Sequence, residues 1–324
     1  MAAVTYLEAI RQGIWEEMER DSSVFVLGED VGIYGGAFKV TEGMLERFGE
    51  DRVVDTPISE SAIVGAAIGA ALMGMRPIAE MQFADFISCA FDQITNFAAK
   101  CRYRWSAGVP IVIRGPSGGG IHGGPYHSQN PEMHYVHTPG LKVVTPSTVY
   151  DAKGLIKAAI RDEDPVVYFE YKFLYRRLKE ELPEGDWTVP IGKADIKRAG
   201  SDISVITYGA MVHLALEAAA KLANDGIELE VVDLRTLVPL DKERILESVK
   251  KTSKVILLHE DVRTGGMAGE LAAIIAEEAF EYLDGPIMRI TAPDTPVPYS
   301  PPLEEFFLPK RSDIIRVARQ LAAY

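Results

Sequence analysis

Hydrophobic positions along this chain follow two alternating periods. Tyr6, Ile10, Ile14 and Met18 fall four apart behind a Thr5-to-Glu8 capping-box spacing, so the chain opens on an amphipathic helix whose other face is charged. The apolar run V-F-V-L-G at 24–28 follows and ends in Glu29-Asp30 and a Gly-rich turn. It reads as a strand buried on both faces, with its C-terminal end opening into a loop. Runs at 109–114, 141–144 and 165–170 read the same way, and helical patterns at 60–75, 86–103 and 147–161 lie among them. Strands alternating with helices predict a parallel sheet covered on both faces, an α/β fold.

The pattern then lapses and restarts. Residues 172–200 hold Pro183, Gly185, Pro190 and Gly192 among mixed charges, as expected of a connection running over the surface. After it come I-S-V-I-T-Y-G, a helix over 211–224, E-L-E-V-V-D-L, a helix over 241–251, K-V-I-L-L-H-E-D, a helix over 268–282 and P-I-M-R-I-T. Five prolines between Pro293 and Pro302 interrupt regular structure before a closing amphipathic helix carrying Ile314, Ile315, Val317, Ala318 and Leu321. The expected division is a first domain over 1–180, a linker over 181–202 and a smaller α/β domain over 203–324. There is no internal repeat.

Composition narrows the class. A chain of 324 residues exceeds the usual single core, in keeping with two domains, and 47% hydrophobic with 25% charged residues is ordinary for a globular protein. The net charge of −13 repels a polyanionic backbone and argues against nucleic acid as a partner. Cys89 and Cys101 match no C-x-x-C spacing, read as two buried thiols, and suggest a reducing compartment. The first twenty residues carry four glutamates and lack the apolar core of a signal peptide, so a cytoplasmic location is expected. The run Ser61–Met75 is the only membrane candidate; at 1.5 Å per residue it spans about 22 Å against a hydrocarbon core of about 30 Å, so it is expected to be a buried helix.

Ligands of open α/β sheets bind outside the carboxyl ends of the strands. Three segments qualify: Gly28-Glu29-Asp30, D-T-P-I-S-E at 55–60, and the Gly/His segment over 115–130. Glu60 precedes fifteen uncharged residues and falls on the first turn of a helix, where the dipole favours a carboxylate by about 0.3–1 kcal/mol. One reading is a helix-start acid. The other follows from Gly65, Ala66, Ala67, Gly69, Ala70, Ala71 and Gly74, which permit such close packing that Glu60 is expected in a crowded interior, its pKa raised and available for proton work. His122, His127, His134 and His137 fit no zinc spacing and read by default as loop histidines, so no metal site is assigned. For His127 a proton-transfer role stays open, because both imidazole forms coexist near neutral pH. Gly118 to Gly120 with Gly123-Gly124 match no phosphate-loop pattern and point to close backbone approach or a mobile loop.

G-E-D-V-G, D-T-P-I-S-E, R-P-I-A-E-M-Q-F-A-D-F, Y-H-S-Q, P-G-L-K-V-V-T-P-S-T-V-Y-D-A-K-G-L, R-D-E-D-P and D-L-R-T-L-x-P-L-D occur in that order over nearly the whole chain. Together they resemble the β subunit of the thiamine diphosphate-dependent 2-oxo acid dehydrogenase E1 component. The resemblance implies a transketolase-like pyrimidine-binding domain followed by the transketolase C-terminal domain. It implies that Glu60 hydrogen-bonds N1′ of the cofactor's aminopyrimidine and shares a proton there, promoting the imino tautomer whose 4′-nitrogen deprotonates the thiazolium C2. By the same resemblance Glu29, Ile58 and Ser59 flank the pyrimidine, Gln82 gives a polar contact and Phe86 an aromatic face. Phe83, Ala84, Asp85 and Phe86 with Tyr126, His127, Ser128 and Gln129 form the substrate wall, His127 assisting acyl transfer to lipoamide.

Q-F-A-D-F and Y-H-S-Q are more similar to the branched-chain 2-oxo acid enzymes, with the pyruvate and acetoin dehydrogenases as alternatives and a non-catalytic E2-docking module as a distant one. Relatives of this kind bind the diphosphate through Mg²⁺ on a G-D-G…N segment, and no G-D-G occurs here. The resemblance therefore implies that thiamine diphosphate is shared with an α subunit that supplies most of the Mg²⁺ site, in an α2β2 assembly serving a lipoylated E2. Some relatives hold potassium near the R-D-x-x-P turn, where Asp162 and Asp164 stand.

Overall fold

The computed structural model describes residues 3–324. The chain divides into two compact units, one formed by the residues up to Gly118 and Tyr126–Ile191, the other by Gly119–Pro125 and Gly192–Tyr324. The segment Gly119–Pro125 thus groups with the C-terminal unit although it is flanked by the first.

The first unit contains β1 (Val4–Thr5), β2 (Val24–Gly28), β3 (Val53–Asp55), β4 (Arg76–Glu80), β5 (Val112–Ser117), β6 (Lys142–Val144), β7 (Val166–Tyr171) and β8 (Lys179–Glu180). Six of these lie in the order β6-β7-β5-β4-β2-β3, every pair parallel. Register aligns Asp55, Gly28, Glu80 and Arg114 across four neighbouring strands, so the loops after β2, β3 and β4 leave the sheet at one level. From β2 the chain goes one way to β3 and the other way to β4, which makes the β2/β4 boundary a topological switch point.

The opening helix is Tyr6–Arg20, with both bonds of the Thr5/Glu8 capping box formed and Tyr6, Ile10, Ile14 and Met18 buried. The second helix runs Glu60–Leu72 and stops where Gly74 adopts a left-handed φ of 94°, with Met75 N–H donating to the Ala70 carbonyl, a Schellman ending. It is not buried all round as expected. Ile63, Val64, Ala67, Ile68 and Ala71 face the core, whereas Ser61, Ala62, Ala66 and Gly69 are exposed.

One continuous helix over 86–103 is also not what forms. The segment is a 3-10 stretch Ala84–Ala90, a π turn Gln93–Ala98 and an α-helix Ala99–Trp105. Ser88 Oγ donates to the Asp85 carbonyl and Thr95 Oγ1 to the Phe91 carbonyl, local bonds that compete with regular helix geometry. Cys101 is buried, but Cys89 is exposed, because Asp85, Ile87 and Ala90 take the inward positions of the tight turn. The supposed connection over 172–200 carries structure of its own: β8 pairs antiparallel with β1, and Asp195–Arg198 is a strand.

The second unit contains β9 (Asp195–Arg198), β10 (Ile203–Thr207), β11 (Leu229–Asp233), β12 (Thr236–Val238), β13 (Val255–Val262) and β14 (Met288–Ala292). Five of them form the order β14-β13-β10-β11-β9, parallel except that β9 runs antiparallel on the edge. Helices Met211–Ala223, Lys242–Thr252, Met267–Glu278 and Arg311–Ala322 follow the expected order. Among the described residues no helix is long and apolar enough to cross a membrane.

Candidate active site

At the switch point the loops after β2 and β4 are tied by Gln82 Nε2 donating to Asp30 Oδ2 at 3.1 Å. Glu29, directly after β2, is only 6% exposed, and its Oε1 has no hydrogen-bond partner. Burial first, then the charges of Glu60 and Asp30, raise the Glu29 carboxyl above its ordinary value. Glu60 starts its helix as expected but is half-buried, not interior, and Ser59 and Ile58 beside it are exposed, Ile58 at 82%. The crowded interior predicted for Glu60 fails because the small-residue face of its helix is uncovered in this chain. The buried, perturbed acid of the pair is Glu29. Cys89 lies within reach of the same carboxylates: after burial, Glu60 and Glu29 push its thiol up.

A wall of aromatic rings continues from Gln82. The Phe83 and Phe86 rings stand 5.8 Å apart, and the His127 imidazole meets them edge-on at 4.6 and 5.5 Å. Asp85 is buried and accepts the Gln129 N–H at 3.1 Å through Oδ1, which ties the 83–86 turn to the segment bearing His127, while Oδ2 has no hydrogen-bond partner. Ala84 packs on Gly115, where an added Cβ would come within 3.2 Å. Ser128 is buried with Oγ unbonded, whereas Tyr126 and Gln129 are exposed. The structure thus brings Phe83, Phe86 and His127 together, supported by Ala84, Asp85 and Ser128.

Beneath this wall lies a charge cluster. Arg114, 0% exposed, donates through Nε and a terminal nitrogen to both oxygens of Glu170 at 2.5 and 2.9 Å and through its other terminal nitrogen to Glu80. Tyr175 adds its hydroxyl to Glu170 at 2.6 Å. Burial alone disfavours the guanidinium charge, but Glu170 and then Glu80 outweigh it and hold the Arg114 pKa well above its ordinary value. Burial raises the Glu80 carboxyl, with Arg114 opposing.

The four histidines do not converge, and among the described residues no group of three or more His, Cys, Asp or Glu side chains could hold a metal ion. His134 stands by Phe91 and His122 by Glu304. Asp162 takes the Lys142 ammonium on both oxygens at 2.6 Å, and Asp164 pairs with Arg102. The Gly-rich stretch is no free loop either: carboxylates of the second unit occupy its amides.

The description of the transketolase pyrimidine-binding domain matches residues 2–177, and that of the transketolase C-terminal domain matches 192–314. The chain is 56% identical over 329 residues to the 2-oxoisovalerate dehydrogenase subunit beta of Bacillus subtilis (strain 168), covering 100% of both. The chain belongs to the E1 β subunits of the 2-oxo acid dehydrogenases. Another member, the pyruvate dehydrogenase E1 component subunit beta of the same organism, is 46% identical with 100% of both chains covered. A solved structure described as a split gene transketolase, inactive beta4 tetramer, aligns with a TM-score of 0.81 over 99% of both chains at 22% identity, a likeness of fold.

Within this E1 β subunit, sequence reasoning missed two residues next to the wall. Phe38 stacks edge-on against Phe83 at 5.3 Å and lies 5.3 Å from the Tyr175 ring. Lys172, buried, donates to the Pro116 carbonyl at 2.9 Å, and its ammonium stands 5.7 Å from the Phe83 ring centre. The charge cluster beneath the wall was missed as well, and its available signal was charge inside apolar runs, Arg114 ending I-V-I-R and Glu170 ending V-V-Y-F-E.

Proposed function

We propose that this chain, with an α subunit, decarboxylates a branched-chain 2-oxo acid on thiamine diphosphate and passes the acyl group to the lipoyl arm of an E2 acyltransferase, in an α2β2 assembly in the cytoplasm. The observation that carries the reading is the buried, unpartnered carboxylate oxygen of Glu29 beside Glu60 at the switch point. An aminopyrimidine offers a ring nitrogen and an amino group, and this pair of acids suits them. Glu29, Ile58, Ser59, Glu60, Gln82 and Phe86 would hold that half of the cofactor, with the diphosphate and Mg²⁺ on the α subunit. When bound, thiamine diphosphate supplies the electron sink that decarboxylation needs.

Glu60 would share a proton with the pyrimidine ring nitrogen, and beside it burial and neighbouring acids raise the Glu29 carboxyl above its ordinary value. Phe83 and Phe86 keep water from the reacting carbon. His127, set edge-on against both rings, would give a proton to a lipoyl sulfur as it leaves the disulfide. The aromatic lining, to which Phe38 adds, favours an apolar acyl side chain over the methyl of pyruvate.

The test is purification with a candidate α subunit and comparison of 2-oxoisovalerate, pyruvate and acetoin with an artificial electron acceptor. The expected preference for 2-oxoisovalerate is about 10–200-fold in kcat/KM, the range set by one or two buried carbons. Higher kcat/KM for pyruvate or acetoin would reassign the substrate. The chain without α is expected to show no turnover, and measurable decarboxylation by it alone would refute the shared site. His127→Ala should lower lipoamide acylation by about 10²–10⁴-fold while decarboxylation followed with the artificial acceptor falls far less. Equal loss in both half-reactions would make His127 a substrate-positioning group.

A further inference from the structure

The segment 118–129 is a closed loop of the kind whose ends meet, with Gly118 N–H donating to the Gln129 carbonyl at 3.1 Å. Along its first half every second residue is left-handed: Gly118, Gly120, His122 and Gly124 have φ of 82°, 78°, 61° and 68°. Alternation of this kind turns successive amides toward one side, a concavity that binds anions. Here the anions are side chains of the second unit. Gly119 N–H donates to Glu260 Oε1 at 2.5 Å, Gly120 N–H to Glu304 Oε1 at 3.0 Å, and His122 N–H to both Glu304 oxygens at 3.3 and 3.1 Å. His122 Nδ1 closes on Glu304 Oε2 at 2.6 Å. Glu304 is 1% exposed and Glu260 4%, and the Tyr299 ring packs where Gly124 would carry a Cβ.

Neither carboxylate has a part in the reaction as described above. Both act on the stretch that leads to His127, which comes three residues after Gly124 and two before the anchored Gln129. A chain pinned that closely on both sides leaves the imidazole little freedom. We infer that Glu304 and Glu260 are positioning residues for His127: as internal anions in the glycine-rich nest, they set the loop that presents the imidazole for acyl transfer. This inference rests on the transfer role given to His127 under the proposed function.

The experiment uses the full chain assembled with its α subunit. Glu304→Gln removes the charge and one acceptor oxygen with little change of shape, and Glu305→Gln, on an exposed neighbour, is the control. Amide hydrogen exchange over 118–129 is expected to quicken by about tenfold or more in Glu304→Gln and not in Glu305→Gln, with no change over Met211–Ala223. Lipoamide acylation should fall by about tenfold or more while decarboxylation stays within about twofold of the parent. The double variant Glu304→Gln/His127→Ala should transfer no worse than His127→Ala alone, since the positioned group is already gone.

Unchanged exchange would overturn the clamp. Faster exchange with full transfer, or losses that multiply in the double variant, would overturn its link to His127. Should Glu304→Gln not fold, Glu260→Gln takes the charge from the acceptor of the Gly119 N–H and is read by the same assays. A His127→Ala enzyme with full transfer would instead remove the transfer role itself, and exchange at 119–122, which needs no activity, tells the two failures apart.

Discussion

Glu60→Gln, in the chain assembled with an α subunit, is expected to lose decarboxylation by about 10²–10⁴-fold with fold and assembly intact. The amide matches the carboxylate in shape and keeps an acceptor, but it cannot take and return a proton. Little stability is at stake, because Glu60 is half-buried and the dipole contribution of a first-turn carboxylate is about 0.3–1 kcal/mol. Glu29 should titrate lower in this variant, since one of the charges that raise it has been removed. Activity within about threefold of the parent would leave Glu60 as a helix-start acid.

Arg114→Leu is expected to be the most damaging single change to the first unit, about 3–5 kcal/mol in denaturant unfolding of the full chain. The cost is not the loss of attraction alone. Glu80 and Glu170 would remain side by side at the sheet's centre with only the Tyr175 hydroxyl against Glu170, and a buried charge without its partner carries its full desolvation penalty. Protonation relieves that penalty, so the variant's deficit should shrink as pH falls. Burial already raises Glu80, and losing Arg114 removes the charge that opposed the rise. A deficit below about 1 kcal/mol, or one independent of pH, would mean that the cluster relaxes or admits water.

The sequence by itself determined the alternation of strands and helices, the capped first helix and the position of Glu60 at a helix start, because each rests on periodicity or local hydrogen bonding within a few residues. The motifs also determined the family, which the comparisons bear out. Where local rules compete, the sequence reads less well. Over 84–105 apolar spacing suggests one helix, and side-chain bonds from Ser88 and Thr95 break it into three kinds of turn.

What only the tertiary structure decided is what stands opposite each residue. The row Asp55–Gly28–Glu80–Arg114 exists because four strands far apart in sequence share a register, and the charges look misplaced in apolar runs until that row pairs them. Glu29 rather than Glu60 is the buried acid: it directly follows the buried end of β2, whereas the small-residue face of the Glu60 helix stays open. The glycines at 118–124 read as mobility because their partners, Glu260 and Glu304, lie more than a hundred residues further along the chain. Local pattern specifies which backbone shapes a segment can take, whereas burial and electrostatic pairing depend on neighbours that only folding brings together.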